Sequence, residues 1–208
     1  LAYYDEYPKD KNAPDALYNA ALYYQGLGET KKAIKYFDKY TDKFKKKDDV
    51  PNVVWRICGL HETDGDLKKA AKCYDSYKKR FKKAAPAKVF ESRYKYALLQ
   101  EKLKNKKGAM KEYQYLVKAY PKLKKKEQDK PGAQLAAAHA AFELLEPEFA
   151  SYKRLKVTLN KKTLLKKLNT AEELACVDGA KKCKKQGKFL SILKFGNGDY
   201  GICALTRM

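Results

Sequence analysis

The sequence has little of what enzyme and metal sites are usually built from. It contains only two histidines, His61 and His139, and neither has a cysteine or serine partner at a recognised motif spacing. It has no CxxC pair, HExxH motif, GxSxG elbow or glycine-rich phosphate loop. We therefore expect no catalytic residue, metal ligand or cofactor site, and we expect both histidines to be structural.

Long apolar runs and strand-like alternation are also missing. No stretch approaches the roughly 18 apolar residues of a membrane-spanning helix. No segment of convincing length alternates apolar and polar residues with the period of a β-strand. The sequence therefore predicts an all-α protein with no transmembrane segment in these residues.

What the chain does contain is an internal repeat, in three consecutive segments with matching spacing. The shared positions are Leu17, Ala20, Ala21, Tyr24, Gly28, Ala33, Phe37 and Tyr40; then Val54, Ile57, Cys58, His61, Gly65, Ala70, Tyr74 and Tyr77; then Tyr94, Ala97, Leu98, Glu101, Asn105, Ala109, Tyr113 and Leu116. Three copies in register favour a repeat over helical hairpins with chance spacing.

Each segment predicts two helices joined by a short turn. The first half places apolar or small residues at i, i+3, i+4 and i+7, which is one stripe of a helix. Gly28, Gly65 and Asn105 then supply residues that can adopt the left-handed conformation at a helix end. In the second helix, an alanine such as Ala33 allows close approach, and an aromatic residue such as Phe37 fills the space beside it.

This pattern resembles the tetratricopeptide repeat, a helix–turn–helix unit of about 34 residues. The resemblance implies an all-α, right-handed superhelical solenoid of antiparallel helix pairs. The predicted divisions are repeats at 14–50, 51–86 and 87–121, a divergent repeat with a long second helix at 133–186, the end of a preceding repeat at 1–8 and the start of a further repeat at 198–208. On this interpretation the solenoid is truncated at both ends, because a half-repeat cannot bury its apolar face alone.

The resemblance also implies where a partner binds. In such a solenoid the first helices line a concave groove, and the groove positions here are Tyr18, Leu22, Trp55, Lys95 and Leu99. We expect Tyr18, Trp55 and Leu99 to anchor a peptide or a helix. The alternative is a groove filled by other parts of the same protein. The lysine–asparagine–arginine clamp of chaperone-associated members is absent from these positions.

The charge is strongly one-sided, with 47 Lys and Arg against 25 Asp and Glu and a net charge of +22. The clusters Lys43–Lys47, Lys78–Lys83 and Lys122–Lys126 follow second helices at corresponding places and predict a lysine ridge. Such a ridge suits an acidic protein or an anionic lipid surface, unless the lysines are only solvated helix formers. Nucleic acid is less favoured, because arginines are few.

The five cysteines leave the redox state open. Cys58 and Cys73 face each other within one repeat and can bridge in an oxidising compartment, whereas Cys176, Cys183 and Cys203 allow other pairings. Reduced cysteines in a small-residue core are the alternative.

Tyr-Pro-Lys helix ends and the lysine content resemble bacterial cell-envelope members of the family, such as those of outer-membrane assembly, the Tol–Pal system and gliding motility. The resemblance implies a non-catalytic scaffold in the periplasm or at the outer membrane. The second hypothesis is a cytoplasmic adaptor that binds an acidic protein or nucleic acid through the lysine ridge.

Overall fold

The computed structural model describes residues 2–83, 86–156, 160–175 and 187–207, and these residues form helices and turns without a strand. The predicted all-α class with packed helix pairs is confirmed. The chain divides into two compact units, Leu1–Asn105 and Lys106–Met208.

The first unit is a row of helices, each packed on the one before it. Its elements are α1 (Ala2–Glu6), α2 (Ala13–Gly26), α3 (Thr30–Lys43), α4 (Val50–Thr63), α5 (Leu67–Arg80) and α6 (Pro86–Lys102). The predicted small-and-aromatic pairing forms the core, because Ala33, Phe37, Ala70 and Tyr74 are all at most 1% exposed. Prolines occupy the first turns of α2 and α4, where the absent N–H removes no hydrogen bond.

The second unit has α7 (Lys106–Ala119), α8 (Lys125–Gln128), α9 (Pro131–Arg154), α10 (Lys161–Ala175) and α11 (Gly198–Thr206). Short 3₁₀ segments span Tyr120–Lys122 and Leu190–Phe195. The alanines of α9 let α7 and α11 pack closely against it, and α9 continues as a helix through Pro147. The rest of the predicted long helix, 176–186, lies outside the described residues.

One turn geometry recurs after each first helix of the first unit. The N–H groups of Glu29, Asp66 and Asn105 donate to the carbonyls five residues earlier, at 2.9, 3.1 and 2.8 Å. The residue before each of them has positive φ, at 73° for Gly28 and 76° for Gly65. This is the Schellman ending of a helix, in which the left-handed residue closes the last turn.

The third copy of this turn corrects the predicted register. The left-handed residue there is Lys104, with a φ of 61°, and not Asn105. Lys104 is therefore the equivalent of Gly28 and Gly65, and every predicted position in α6 moves back by one residue. Ala97 confirms the shift, because it is fully buried like its new equivalents, Ala21 and Cys58.

The turns that lead into α2 and α4 also resemble each other. Tyr3 donates its hydroxyl to Asp10 at 2.7 Å, and Tyr40 donates to Asp49 at 2.6 Å, although Asp10 and Asp49 differ by two places in the repeat. The N–H of Tyr7 donates to the Tyr3 carbonyl at 2.9 Å, as that of Phe44 does to Tyr40. Residues 3–14 thus follow the backbone path of residues 40–51.

Replacing Lys104 by glycine should stabilise the protein. Left-handed backbone strains a residue that has a Cβ, so we expect Lys104→Gly to raise the free energy of unfolding by roughly 0.5–1 kcal/mol. The matched control is Gly65→Ala, which introduces that strain where no atom lies within 4 Å of the new Cβ, and it should cost about 1 kcal/mol. Urea unfolding followed by circular dichroism measures both. A less stable Lys104→Gly would contradict the assignment of this turn.

Candidate functional site

The candidate site is the face that the first helices, α2, α4 and α6, share in the first unit. With Lys104 as the reference, the α6 equivalent of Tyr18 and Trp55 is Tyr94, and the equivalent of Leu22 is Leu98. All five are half-buried. We call Tyr18, Trp55 and Tyr94 the aromatic row.

The prediction that Leu99 lines this face is wrong. Leu99 is 1% exposed and lies in a core cluster with Cys58, Ala70, Ala71 and Tyr74. A shift of one residue turns a helical side chain by about 100°, which moves it from the open face to the face that packs on α5. The signal that could have revealed the shift is Ala97, the small residue that must match Ala21 and Cys58.

Trp55, one of the predicted anchors, packs against the following helix and is half-buried. Its ring lies edge-on to Tyr74 and Tyr77, with centroid distances of 5.3 and 5.4 Å. Such edge-to-face contacts stabilise aromatic pairs beyond their buried area. The indole is therefore held in one orientation, while part of it stays accessible.

Tyr18 repeats this arrangement one unit earlier. Its ring lies 5.6 Å from both Phe37 and Tyr40, which are the equivalents of Tyr74 and Tyr77. Tyr18, Leu22 and Trp55 all pack on the same core cluster. The first two members of the aromatic row are thus produced by the repeat itself, with aromatic residues of the following helix packed beneath Tyr18 and Trp55.

Polar contacts join consecutive first helices along this face. Arg56 Nη1 donates to Gln25 Oε1 at 3.1 Å, and Lys95 Nζ lies 3.5 Å from Glu62 Oε2. Arg56 and Lys95 are equivalent residues in the corrected register, as are Gln25 and Glu62. Lys95, predicted as a groove residue, therefore lies at the link between α4 and α6, with 41% of its side chain exposed.

Glu62 also fixes a buried tyrosine. The Tyr74 hydroxyl donates to Glu62 Oε1 at 2.5 Å, and burial, reinforced by this carboxylate, raises the pKa of Tyr74 far above its usual range. Burial, with a smaller effect of Glu91, raises the pKa of Tyr77 to about 12. The buried Tyr77 hydroxyl has no hydrogen-bond partner within the described ranges.

The lysine clusters of the first unit are only partly available to a partner. Lys45–Lys47 and Lys82–Lys83 are exposed. Lys78 is not, because its side chain is 8% exposed, pairs with Asp75 at 2.9 Å and lies 4.1 Å above the Tyr96 ring. Burial raises the pKa of Asp75, but hydrogen bonds from Lys78 and Lys79 outweigh this and leave it lowered. The predicted continuous ridge therefore has a gap at Lys78, while Lys122–Lys126 belongs to the second unit.

Two of the three cysteines that the structure describes are bonded to each other. Cys58 on α4 and Cys73 on α5 form a disulfide, with sulfurs 2.02 Å apart. Cys203 is an exposed free thiol in the part of the chain that the structure describes. Cys176 and Cys183 lie outside the described residues, so the alternative pairings stay predictions.

The two histidines lie on α4 and α9. His61 is half-buried at the end of α4, at the position equivalent to Tyr24. His139 is buried on α9, stacks on Tyr200 at 4.8 Å and contacts Glu143 at 3.3 Å, which lowers the pKa of Glu143.

Across residues 2–83, 86–156, 160–175 and 187–207, no group of three or more His, Cys, Asp or Glu side chains is placed to hold a metal ion. No helix in those same ranges is both long and apolar enough to cross a membrane.

Comparison with known proteins agrees with the corrected register. Residues 15–46 and 91–122 each match the family model described as a tetratricopeptide repeat. Both ends of the two matches differ by 76 residues, which is also the separation of Gly28 and Lys104. No curated protein sequence matches the chain.

The two buried tyrosine hydroxyls should behave differently when removed. Tyr74→Phe deletes the hydrogen bond to Glu62 and should lower the free energy of unfolding by roughly 1–2 kcal/mol. Tyr77→Phe removes a buried hydroxyl without a partner among the described residues. It should change the free energy of unfolding by less than about 0.5 kcal/mol, or raise that free energy. Urea unfolding of both variants provides the comparison. A larger loss for Tyr77→Phe would show that its hydroxyl is bonded.

The disulfide should contribute measurably to stability. It closes a loop with a sequence separation of 15, so the double variant Cys58→Ala/Cys73→Ala should lose about 3 kcal/mol. The control Cys203→Ser, at an exposed thiol, should leave stability unchanged. Thermal unfolding with and without reductant tests this, and a wild-type protein that melts identically in both conditions would exclude the bond.

Proposed function

The chain carries tetratricopeptide repeats, and on this premise we propose that it is a non-catalytic scaffold that binds a protein segment. Such repeats generally mediate protein–protein interaction. The binding site is a groove on the α2/α4/α6 face, and its ligand is a peptide or a helix.

The observation that carries this proposal is the aromatic row. Half-buried aromatic rings on rigid supports make good anchors, because little conformational entropy is lost when a partner covers them. Leu22 and Leu98 add apolar surface one helical turn further along α2 and α6. The ladder of polar contacts through Arg56 and Lys95 keeps the first helices in register beneath a ligand.

We also propose an extracytoplasmic location, in the periplasm or at the outer membrane of a bacterial cell envelope. The Cys58–Cys73 disulfide supports it, because such bonds persist mainly in oxidising compartments. A large excess of positive charge suits a compartment whose membrane surfaces and polymers are anionic.

A second candidate function uses the lysines instead. The exposed lysines Lys45–Lys46 and Lys82–Lys83 occupy equivalent places after α3 and α5, each directly behind an aromatic residue, Phe44 or Phe81. They can bind an acidic protein or another anionic partner in the cytoplasm. Nucleic acid is the weaker choice, for want of arginine forks.

Peptide selection on the full chain tests the groove. Peptides enriched from a displayed random library by the wild-type protein should bind Leu22→Glu at least about tenfold more weakly, because a charge enters the apolar face. The matched control is Tyr23→Glu, at the adjacent residue, which is 67% exposed, and it should bind like the wild type. The fluorescence of Trp55, the single tryptophan, reports binding.

Salt separates the two functions in the same experiment. Groove binding should weaken only several-fold between about 0.1 and 1 M salt, because most of its affinity is apolar, whereas binding through exposed lysines alone should weaken far more steeply, since exposed charges are screened. The groove proposal would be wrong if the selected peptides bound Leu22→Glu as well as the wild type but failed to bind Lys45→Glu/Lys82→Glu. The exposed lysines would then be the binding site.

A further inference from the structure

Nothing in the described residues explains why α4 has a glycine within the helix, at Gly59. Gly59 lies four residues before the end of the helix, where glycine is the least favourable residue except proline. Its φ is not positive, and a Cβ built on it would meet no atom within 4 Å. Neither backbone conformation nor close packing therefore requires glycine here.

Gly59 lies on the α2/α4/α6 face, at a position where the other two first helices carry a large apolar side chain. It is the α4 equivalent of Leu22 on α2 and Leu98 on α6, so the row along this face is leucine, glycine, leucine. Trp55 lies one turn earlier on the same stripe of α4. The row therefore lacks a side chain at Gly59, where a Cβ would meet open space, and we call this gap beside Trp55 the notch.

Two lysines of α6 contact this stripe of α4, one near each of its ends, at Asn52 and at Glu62. Lys88 Nζ lies 6.0 Å from the Trp55 ring and donates to Asn52 Oδ1 at 2.5 Å. Lys95 is partly exposed beside Glu62, whose other oxygen is already bonded to Tyr74. A ligand carboxylate would be a stronger partner for Lys88 than the neutral amide of Asn52. The net charge of +22 attracts acidic segments from a distance.

We propose that the notch at Gly59 and Trp55 is an anchor pocket for one large apolar side chain of an acidic peptide segment. The anchor is a residue such as leucine, methionine or phenylalanine, and neighbouring carboxylates of the segment pair with Lys88 and Lys95. This inference rests on the groove function proposed above and specifies which ligand the groove selects.

Filling the notch tests the proposal from the protein side. The probe is the synthetic form of the peptide most enriched by the wild-type chain from the random library. Gly59→Arg should bind it about 30-fold more weakly, because a long side chain occupies the anchor position. Gly59→Ala adds one methyl group and should bind within about fourfold of the wild type. Both variants should keep the helical circular dichroism of the wild type, since alanine and arginine favour helix over glycine.

The peptide supplies a test that does not depend on folding of a variant. Replacing its one large apolar residue by alanine should cost about 30-fold in affinity, and replacing its acidic residues by their amides should cost several-fold. Lys88→Gln should remove most of the preference for the acidic form.

The outcomes distinguish the anchor pocket from the groove. If Leu22→Glu abolishes binding while Gly59→Arg binds normally, or if the selected peptides lack a large apolar residue or acidic residues, the anchor pocket is wrong and the groove stands. If neither variant affects binding, both proposals fail. Loss of binding in Gly59→Arg and in the alanine-substituted peptide supports the pocket.

Discussion

The structure of the first unit depends on where each first helix stops. A left-handed residue two places beyond the last helical residue turns the chain back, so that the second helix packs against the first. Gly28 and Gly65 allow this without strain, and Lys104 adopts the same conformation with a Cβ. Because the turn fixes the register, it decides which side chains enter the core and which remain on the α2/α4/α6 face.

On the proposed function, the same face serves both packing and recognition. Tyr18 and Trp55 each bury one edge against two aromatic residues of the following helix and leave the rest accessible. Little side-chain conformational entropy is lost on binding, because packing already holds these rings in place in the free protein. On the groove proposal, aromatic residues that help to pack the repeat thereby also present their accessible edges to a partner.

Much of this fold could be predicted from the sequence, but the register of α6 was predicted wrongly. Helical spacing and the two turn glycines were enough to define α2 to α5. In α6 both guides misled: Tyr94 is the most conspicuous large residue, and Asn105 is a better left-handed residue than Lys104 in isolation. The true equivalent of Leu17 is Arg93, which no apolar pattern identifies. Leu99 was consequently predicted on the open face of its helix, whereas in the structure it is buried in the core.

The lysine content also has to be interpreted through packing. Lysine stems are apolar and can cover aromatic rings while the charge finds a partner. Lys39 lies 4.3 Å above Tyr4, Lys78 lies 4.1 Å above Tyr96, and Lys78 is buried beside Asp75. Such lysines belong to the contacts between helices and are not free to bind an anion. On the groove proposal, the exposed lysines attract an acidic partner at long range, while selection of the partner depends on the apolar face together with Lys88 and Lys95 beside it.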